Sequence, residues 1–171
     1  MRPLIRAATP NDIDAITQVV RAAFEHAEHR DGTEHELVGK LRADSAFMPE
    51  LSLVAEVEGT VVGHILFTRA QVGDATVLAL APLSVLPAHQ RQGIGRALIE
   101  AGHARARELG DGYSVVLGSE AYYPRFGYRP ADEMGIRPPF DVPRENFMAL
   151  RLRDDAPTVQ GVLRYARAFG L

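Results

Sequence analysis

The segment Gln90-Arg91-Gln92-Gly93-Ile94-Gly95-Arg96 carries residue types suited to binding an anion. Two glycines one residue apart weaken regular structure, because glycine loses more conformational freedom on folding than any other residue. At a strand-to-helix turn they have a use. The first backbone N–H groups of a helix lack intrahelical partners, and glycines leave no side chain in front of them. The helix dipole adds partial positive charge at the same place. The combination suits a phosphate or diphosphate, and Arg91 and Arg96 supplement the charge. No known nucleotide loop is completed here. A P-loop needs G-x-x-x-x-G-K-[ST], which the chain lacks, and a dinucleotide fingerprint needs a third glycine where Leu98 stands.

The elements around the segment must hold that turn. Thr76 to Leu86 is an almost continuous apolar run, as in a strand covered on both faces. Pro82 cannot donate to a ladder, so a bulge or lost pairing is expected there. Gly95 to Leu109 reads as a helix with Ala97, Leu98, Ala101 and Leu109 inward, stopped by Gly110. Upstream, Leu4 and Ile5 start a strand. Thr9-Pro10-Asn11-Asp12 opens a helix bearing Ile13, Ile16, Val20, Ala23 and Phe24, and a second helix spans Glu34 to about Asp44. Leu53 to Val57, the Glu58-Gly59 turn and Val61 to Thr68 form a hairpin, and Gly73-Asp74 turns again. Downstream come a strand at Tyr113 to Leu117 and a short helical segment capped by Ser119. A proline-bearing loop at Pro130 to Pro143 follows, then strands at Phe147 to Leu152 and Val162 to Phe169.

Composition narrows the function classes. The 171 residues suit one domain, 1–171, with a sizeable core, 46% hydrophobic and 24% charged. A formal charge of −3 gives no global basic field for nucleic acid. Basic charge is almost all arginine, with Lys40 the single lysine. There is no cysteine, which excludes disulfides, a cysteine nucleophile and thiolate metal sites. No apolar run has membrane-spanning length, and MRPLIRAATP lacks the apolar core of a secretory signal. A cytoplasmic protein is expected.

Val85-x-Pro87-x-x-Gln90-x-x-Gly93-x-Gly95 resembles the acetyl-CoA signature Q/R-x-x-G-x-G/A of the GNAT N-acetyltransferases. Tyr123-Pro124-Arg125-Phe126-Gly127-Tyr128 looks like the family's Y-x-x-x-G-F/Y segment, and the order of elements also matches. LAPLSVLP, LGSEAYYPRFGY and GVLRYARAF most resemble the YhbS-like group. The resemblance runs end to end. It implies an α/β (α+β) fold with a central mixed, mostly antiparallel sheet flanked by helices, its strands splayed at the cosubstrate. Acetyl-CoA would bind Leu83, Ser84 and Val85 with its pantetheine arm. Gln90, Arg91, Gln92, Gly93, Ile94, Gly95 and Arg96 would receive its diphosphate. No metal is implied. The acceptor is expected to be an amine on a small molecule or peptide, with no nucleic-acid or membrane partner, and a homodimer is common among relatives. The rivals are a non-catalytic acyl-CoA sensor and a partner-binding domain.

Direct attack by an amine needs an oxyanion donor and a partner for the departing thiolate. The resemblance gives the latter role to Tyr123 and the former to a backbone N–H near Ser84 or Val85. Tyr122 and Tyr128 read as packing residues. Ala79 to Ser84 offers no carboxylate base. Glu120, His64, Ser84 through water, or water alone are the candidates, although Glu120 also suits a helix first turn and His64 a strand face. His26 and His29, three apart, read as part of a solvated loop rather than a metal site. Glu25, Glu28 and Glu34 border the expected acceptor region, where they would attract a cationic amine.

Overall fold

The computed structural model describes residues 2–25 and 33–171. His26, Glu28 and His29 lie outside the described residues. The chain forms β1 (Leu4–Ala7), α1 (Ile13–Phe24), α2 (Glu34–Arg42), β2 (Phe47–Val57), β3 (Thr60–Val72) and β4 (Ala75–Val85). It continues through α3 (Ile94–Glu108), β5 (Tyr113–Leu117), β6 (Arg129–Pro130), β7 (Ile136–Arg137), β8 (Phe147–Arg151) and β9 (Gly161–Arg164). The sheet order is β1-β2-β3-β4-β5-β8-β6, and β9 joins the far end of β3 and pairs with β7. Among the described residues, only β4 with β5 and β7 with β9 run parallel. This is the mixed, mostly antiparallel sheet expected.

Each face of the sheet has its own core. Leu53, Ile65, Phe67, Leu78 and Leu80 pack with Ile94, Leu98 and Ile99 of α3. Val54 packs with Ile16 and Val20 of α1 and Val38 of α2 on the opposite face. The alternation of Leu53 and Val54 to opposite faces is the two-residue period of a strand. Approach of α3 is close: a Cβ on Gly102 would lie 2.3 Å from the Phe67 ring. The N-terminal edge is tied by Arg6, whose guanidinium bonds Asp12 at 2.7 and 2.9 Å and Glu56 at 2.6 Å.

Several expectations shift. The first hairpin strand begins at Phe47, before Leu53, because the pairing of Phe47 with Thr68 extends the ladder across an irregularity. The inward stripe of α3 is Ile94, Leu98, Ile99, Gly102, His103 and Ala106, while Leu109 turns to solvent beyond the helix end, 42% exposed. The proline-bearing loop contains β6, β7 and short 3-10 turns. The last strand stops at Arg164, and Arg167–Phe169 is a 3-10 turn. Short strands and turns of this kind are set by contacts distant in sequence rather than by local pattern.

Candidate active site

The bulge predicted at Pro82 is present and shapes the site. In the β3–β4 ladder Ile65 faces Leu83 but Phe67 faces Leu80, so β4 carries one extra residue around Ala81 and Pro82. Parallel pairing of β4 with β5 is confined to Leu78 with Ser114 and Ala79 with Val115. Beyond Ala79 the pairing ends, and the last residues of β4 have no strand partner on the β5 side among the described residues. Leu86 donates its N–H to Val62 O at 2.8 Å. Antiparallel alternation then turns the backbone groups of Leu83 and Val85 away from β3, toward the gap, and those of Ser84 toward β3. Of the two oxyanion donors expected, Val85 is the one whose N–H faces the gap.

The chain leaves β4 through a 3-10 turn at Pro87–His89 and enters α3 through Arg91 and Gly93. Both have left-handed backbone, with φ +62° and +84°. Glycine suits the second position, and nothing lies within 4 Å of a Cβ placed there. Gln90 Nε2 donates to Val85 O at 3.1 Å and Gln92 Nε2 to Ala88 O at 3.4 Å, so two side chains of the motif brace the turn itself. Beyond Gln90, whose N–H bonds Pro87 O at 3.4 Å, the next backbone N–H to find an acceptor is that of Ala97, 3.0 Å from Gly93 O. Among the described residues, those of Arg91 through Arg96 have none. They sit at the start of a 15-residue helix, where unpaired donors and the dipole favour an anion.

Two clefts meet at this turn. One, of about 240 Å³, is lined by Leu83, Val85, His89, Gln90, Arg91, Gly95 and Tyr122. The other, of about 530 Å³, is lined by Arg91, Gly93, Gly95, Arg96, Tyr122, Arg125 and Phe126. Arg96 also pairs with Glu100 at 2.8 Å. Tyr122 stands in both linings, although its sequence context gave no more than packing. The signal that identifies it is tertiary: its hydroxyl lies 2.8 Å from the position a Cβ on Gly95 would take.

The segment after β5 is clamped by Asn146. Gly118 N–H donates to Asn146 O at 2.9 Å, and Asn146 Nδ2 donates to Gly118 O at 3.0 Å and to Glu120 Oε2 at 2.6 Å. Ser119 accepts the N–H groups of Tyr122 and Tyr123 at 3.2 and 3.1 Å on its carbonyl, and that of Ala121 at 3.1 Å on its hydroxyl. The ring of Tyr123 lies on Gly118, where a Cβ would come within 2.5 Å of it. It meets Tyr122 and Tyr128 edge-on at 5.2 and 5.7 Å. Its hydroxyl has no partner among the described residues. Burial, with a smaller contribution from Tyr122, raises the Tyr123 pKa above its ordinary value. Tyr128 packs as expected: it is buried, and its hydroxyl joins His103 Nε2 at 2.9 Å and Ser114 Oγ at 2.8 Å.

The base candidates fall elsewhere. Glu120 is exposed, bonded to Asn146, and lines neither cleft. His64 is fully buried on the α1–α2 face of the sheet, its Nε2 3.4 Å from Ser52 Oγ. Burial first and the charge of Arg42 second push its pKa down to about 3, so it is neutral near pH 7 and a weak base. Ser84, its cross-strand neighbour, keeps a buried hydroxyl without a partner among the described residues. No group of histidine, aspartate and glutamate able to hold a metal ion occurs among the described residues. No helix among them is long and apolar enough to cross a membrane.

Comparison with known proteins finds relatives over nearly the whole chain. The Acetyltransferase (GNAT) family matches residues 14–128. The uncharacterized N-acetyltransferase YjhQ of Escherichia coli (strain K12) is 37% identical over 164 residues, covering 91% of this chain and 88% of that protein. The crystal structure of the GNAT family N-acetyltransferase YhbS from Escherichia coli in complex with CoA superposes with a TM-score of 0.89 at 32% identity. It matches over 100% of this chain and 93% of its own. A GNAT family acetyltransferase from Brucella melitensis in complex with acetyl-CoA gives 0.81 at 38% identity, over 98% of this chain and 97% of its own.

Proposed function

Because the chain belongs to the GNAT acetyltransferase family, we propose that it moves the acetyl group of acetyl-CoA directly to a primary amine of a small molecule or peptide. One observation carries the reading: the unpaired N–H groups of Arg91 through Arg96 open onto clefts beside the gap between β4 and β5. Such a corner receives a diphosphate, and the unpaired edge of β4 receives an extended, amide-bearing arm. The relatives in complex with CoA and acetyl-CoA support the same cosubstrate.

Acetyl-CoA supplies an activated acyl group as a thioester. The neutral amine adds to the carbonyl carbon, a C–N bond forms, the C–S bond breaks, and the amine gives up one proton as the thiolate gains one. Val85 N–H, facing the gap, is the donor assigned to the oxyanion. Tyr123 is assigned to the departing sulfur. An ordinary tyrosine pKa of about 10 already exceeds the thiol value of about 8.5, and burial widens that difference. Tyr123 therefore works as a hydrogen-bond donor to the sulfur rather than as a residue left ionised. Glu120 is assigned to holding the turn through Asn146.

Native mass spectrometry with CoA, followed by thiol release from acetyl-CoA across a panel of amines, tests the reading. One CoA per chain and amine-dependent thiol release are expected. Absence of CoA binding refutes the site, and CoA binding without turnover on any amine leaves a sensor.

A further inference from the structure

The two glycines of the turn answer to different demands. Gly93 is required by its left-handed backbone, and the space beside it is open. Gly95 lies in the first turn of α3, an ordinary helical position that any residue can adopt. What a side chain there would meet is the Tyr122 hydroxyl, 2.8 Å from the ideal Cβ, closer than a real Cβ approaches an oxygen. The next atoms, Leu83 Cδ2 and Tyr122 Cζ, are at 3.9 and 4.0 Å, ordinary contact distances. Of the tyrosine, only the hydroxyl oxygen excludes a larger residue.

That hydroxyl has no hydrogen-bond partner among the described residues. Its ring is fixed edge-on against Tyr123 at 5.2 Å and Phe126 at 5.1 Å, so its direction is set by packing. It stands where the cleft containing Leu83 and Val85 meets the one containing Arg96 and Arg125, beside the unpaired N–H groups at the start of α3. Burial raises its pKa, which keeps the proton on the oxygen. A fixed, protonated, unpartnered hydroxyl among unpaired backbone donors has one evident use.

We propose that Tyr122 is a cosubstrate-recognition residue whose hydroxyl donates a hydrogen bond to the diphosphate of CoA, and that Gly95 is glycine to admit that hydroxyl. The inference rests on the acetyl-CoA reading above. It adds a side-chain donor to a site otherwise built from main chain. It also assigns the second glycine of the motif to tyrosine placement rather than to ligand approach.

The test is calorimetric titration of wild type and Tyr122→Phe with CoA, dephospho-CoA and pantetheine. A hydrogen bond to a charged group is worth about 1.5–3 kcal/mol, or roughly a 10- to 150-fold change in Kd. That loss is expected for CoA and equally for dephospho-CoA, which keeps the diphosphate, and not for pantetheine, which lacks it. Gly95→Ala provides the second arm. It is expected to weaken CoA binding in wild type, where the new methyl meets the hydroxyl, and to have less than a threefold effect in the Tyr122→Phe background, where the nearest ring carbon is at contact distance. Unchanged CoA affinity in Tyr122→Phe overturns the proposal, as does an equal loss for pantetheine or an undiminished Gly95→Ala effect without the hydroxyl. If wild type itself fails to bind CoA, the acetyl-CoA reading fails instead.

Discussion

Mild acid should destabilise this fold before its carboxylates titrate. His64 and His103 are 0% and 4% exposed. Burial is the main cause that lowers their pKa values, to about 3 and about 4, with Arg42 acting on the first and Arg107 on the second. The unfolded chain has histidines near 6.5. Below that value the unfolded state takes up protons that the folded state refuses, so stability falls as pH falls. The contribution is intact above about pH 6.5 and declines until the folded values are reached. At about 1.36 kcal/mol per unit, a drop to pH 5 removes roughly 2 kcal/mol for each histidine and roughly 4 kcal/mol for both. That is a large part of a typical domain stability of about 5–15 kcal/mol. Asp12, whose carboxyl Arg6 holds below its usual range, adds its own loss only as pH falls through about 4 and lower. Urea denaturation followed by circular dichroism at pH 7.5, 6.5, 5.5 and 5.0 reads the slope directly. His103→Gln should lower stability at neutral pH and remove about half of the loss between pH 7.5 and 5. A change of less than about 1 kcal/mol across that range, or an undiminished slope in His103→Gln, would refute burial of neutral histidines as the cause.

Tyr123→Phe should lower kcat for acetyl transfer about 10- to 100-fold while CoA affinity stays within about twofold, measured by thiol release and calorimetry. Gly93→Ala forces a methyl-bearing residue into left-handed backbone at φ +84° and should cost about 1–2 kcal/mol in stability, read by urea denaturation, with weaker CoA binding. Gly102→Ala drives a methyl to within 2.3 Å of the Phe67 ring and should cost about 1–3 kcal/mol by overpacking, with little change in CoA affinity once folded.

The corner proposed for acetyl-CoA was legible in the sequence because its parts are local. A left-handed turn needs glycine, a helix start leaves donors unpaired, and an apolar run broken by Pro82 must lose regular pairing. Each is written within about a dozen consecutive residues, and so the order of the main strands and helices could be read with it. Residues joined across distant strands could not be read this way. Glu120 beside two tyrosines invited a catalytic role, and only the fold reveals its bond to Asn146, 26 positions away. His64 carried the chemistry of a base until burial removed its solvent and lowered its basicity. Tyr122 looked like one more aromatic in a cluster, and the turn clamped by Asn146 brings its hydroxyl over Gly95. Backbone conformation follows from neighbouring residues, and the sequence determined it. Solvation and through-space approach depend on what the rest of the chain folds against a side chain, and only the tertiary structure decided them.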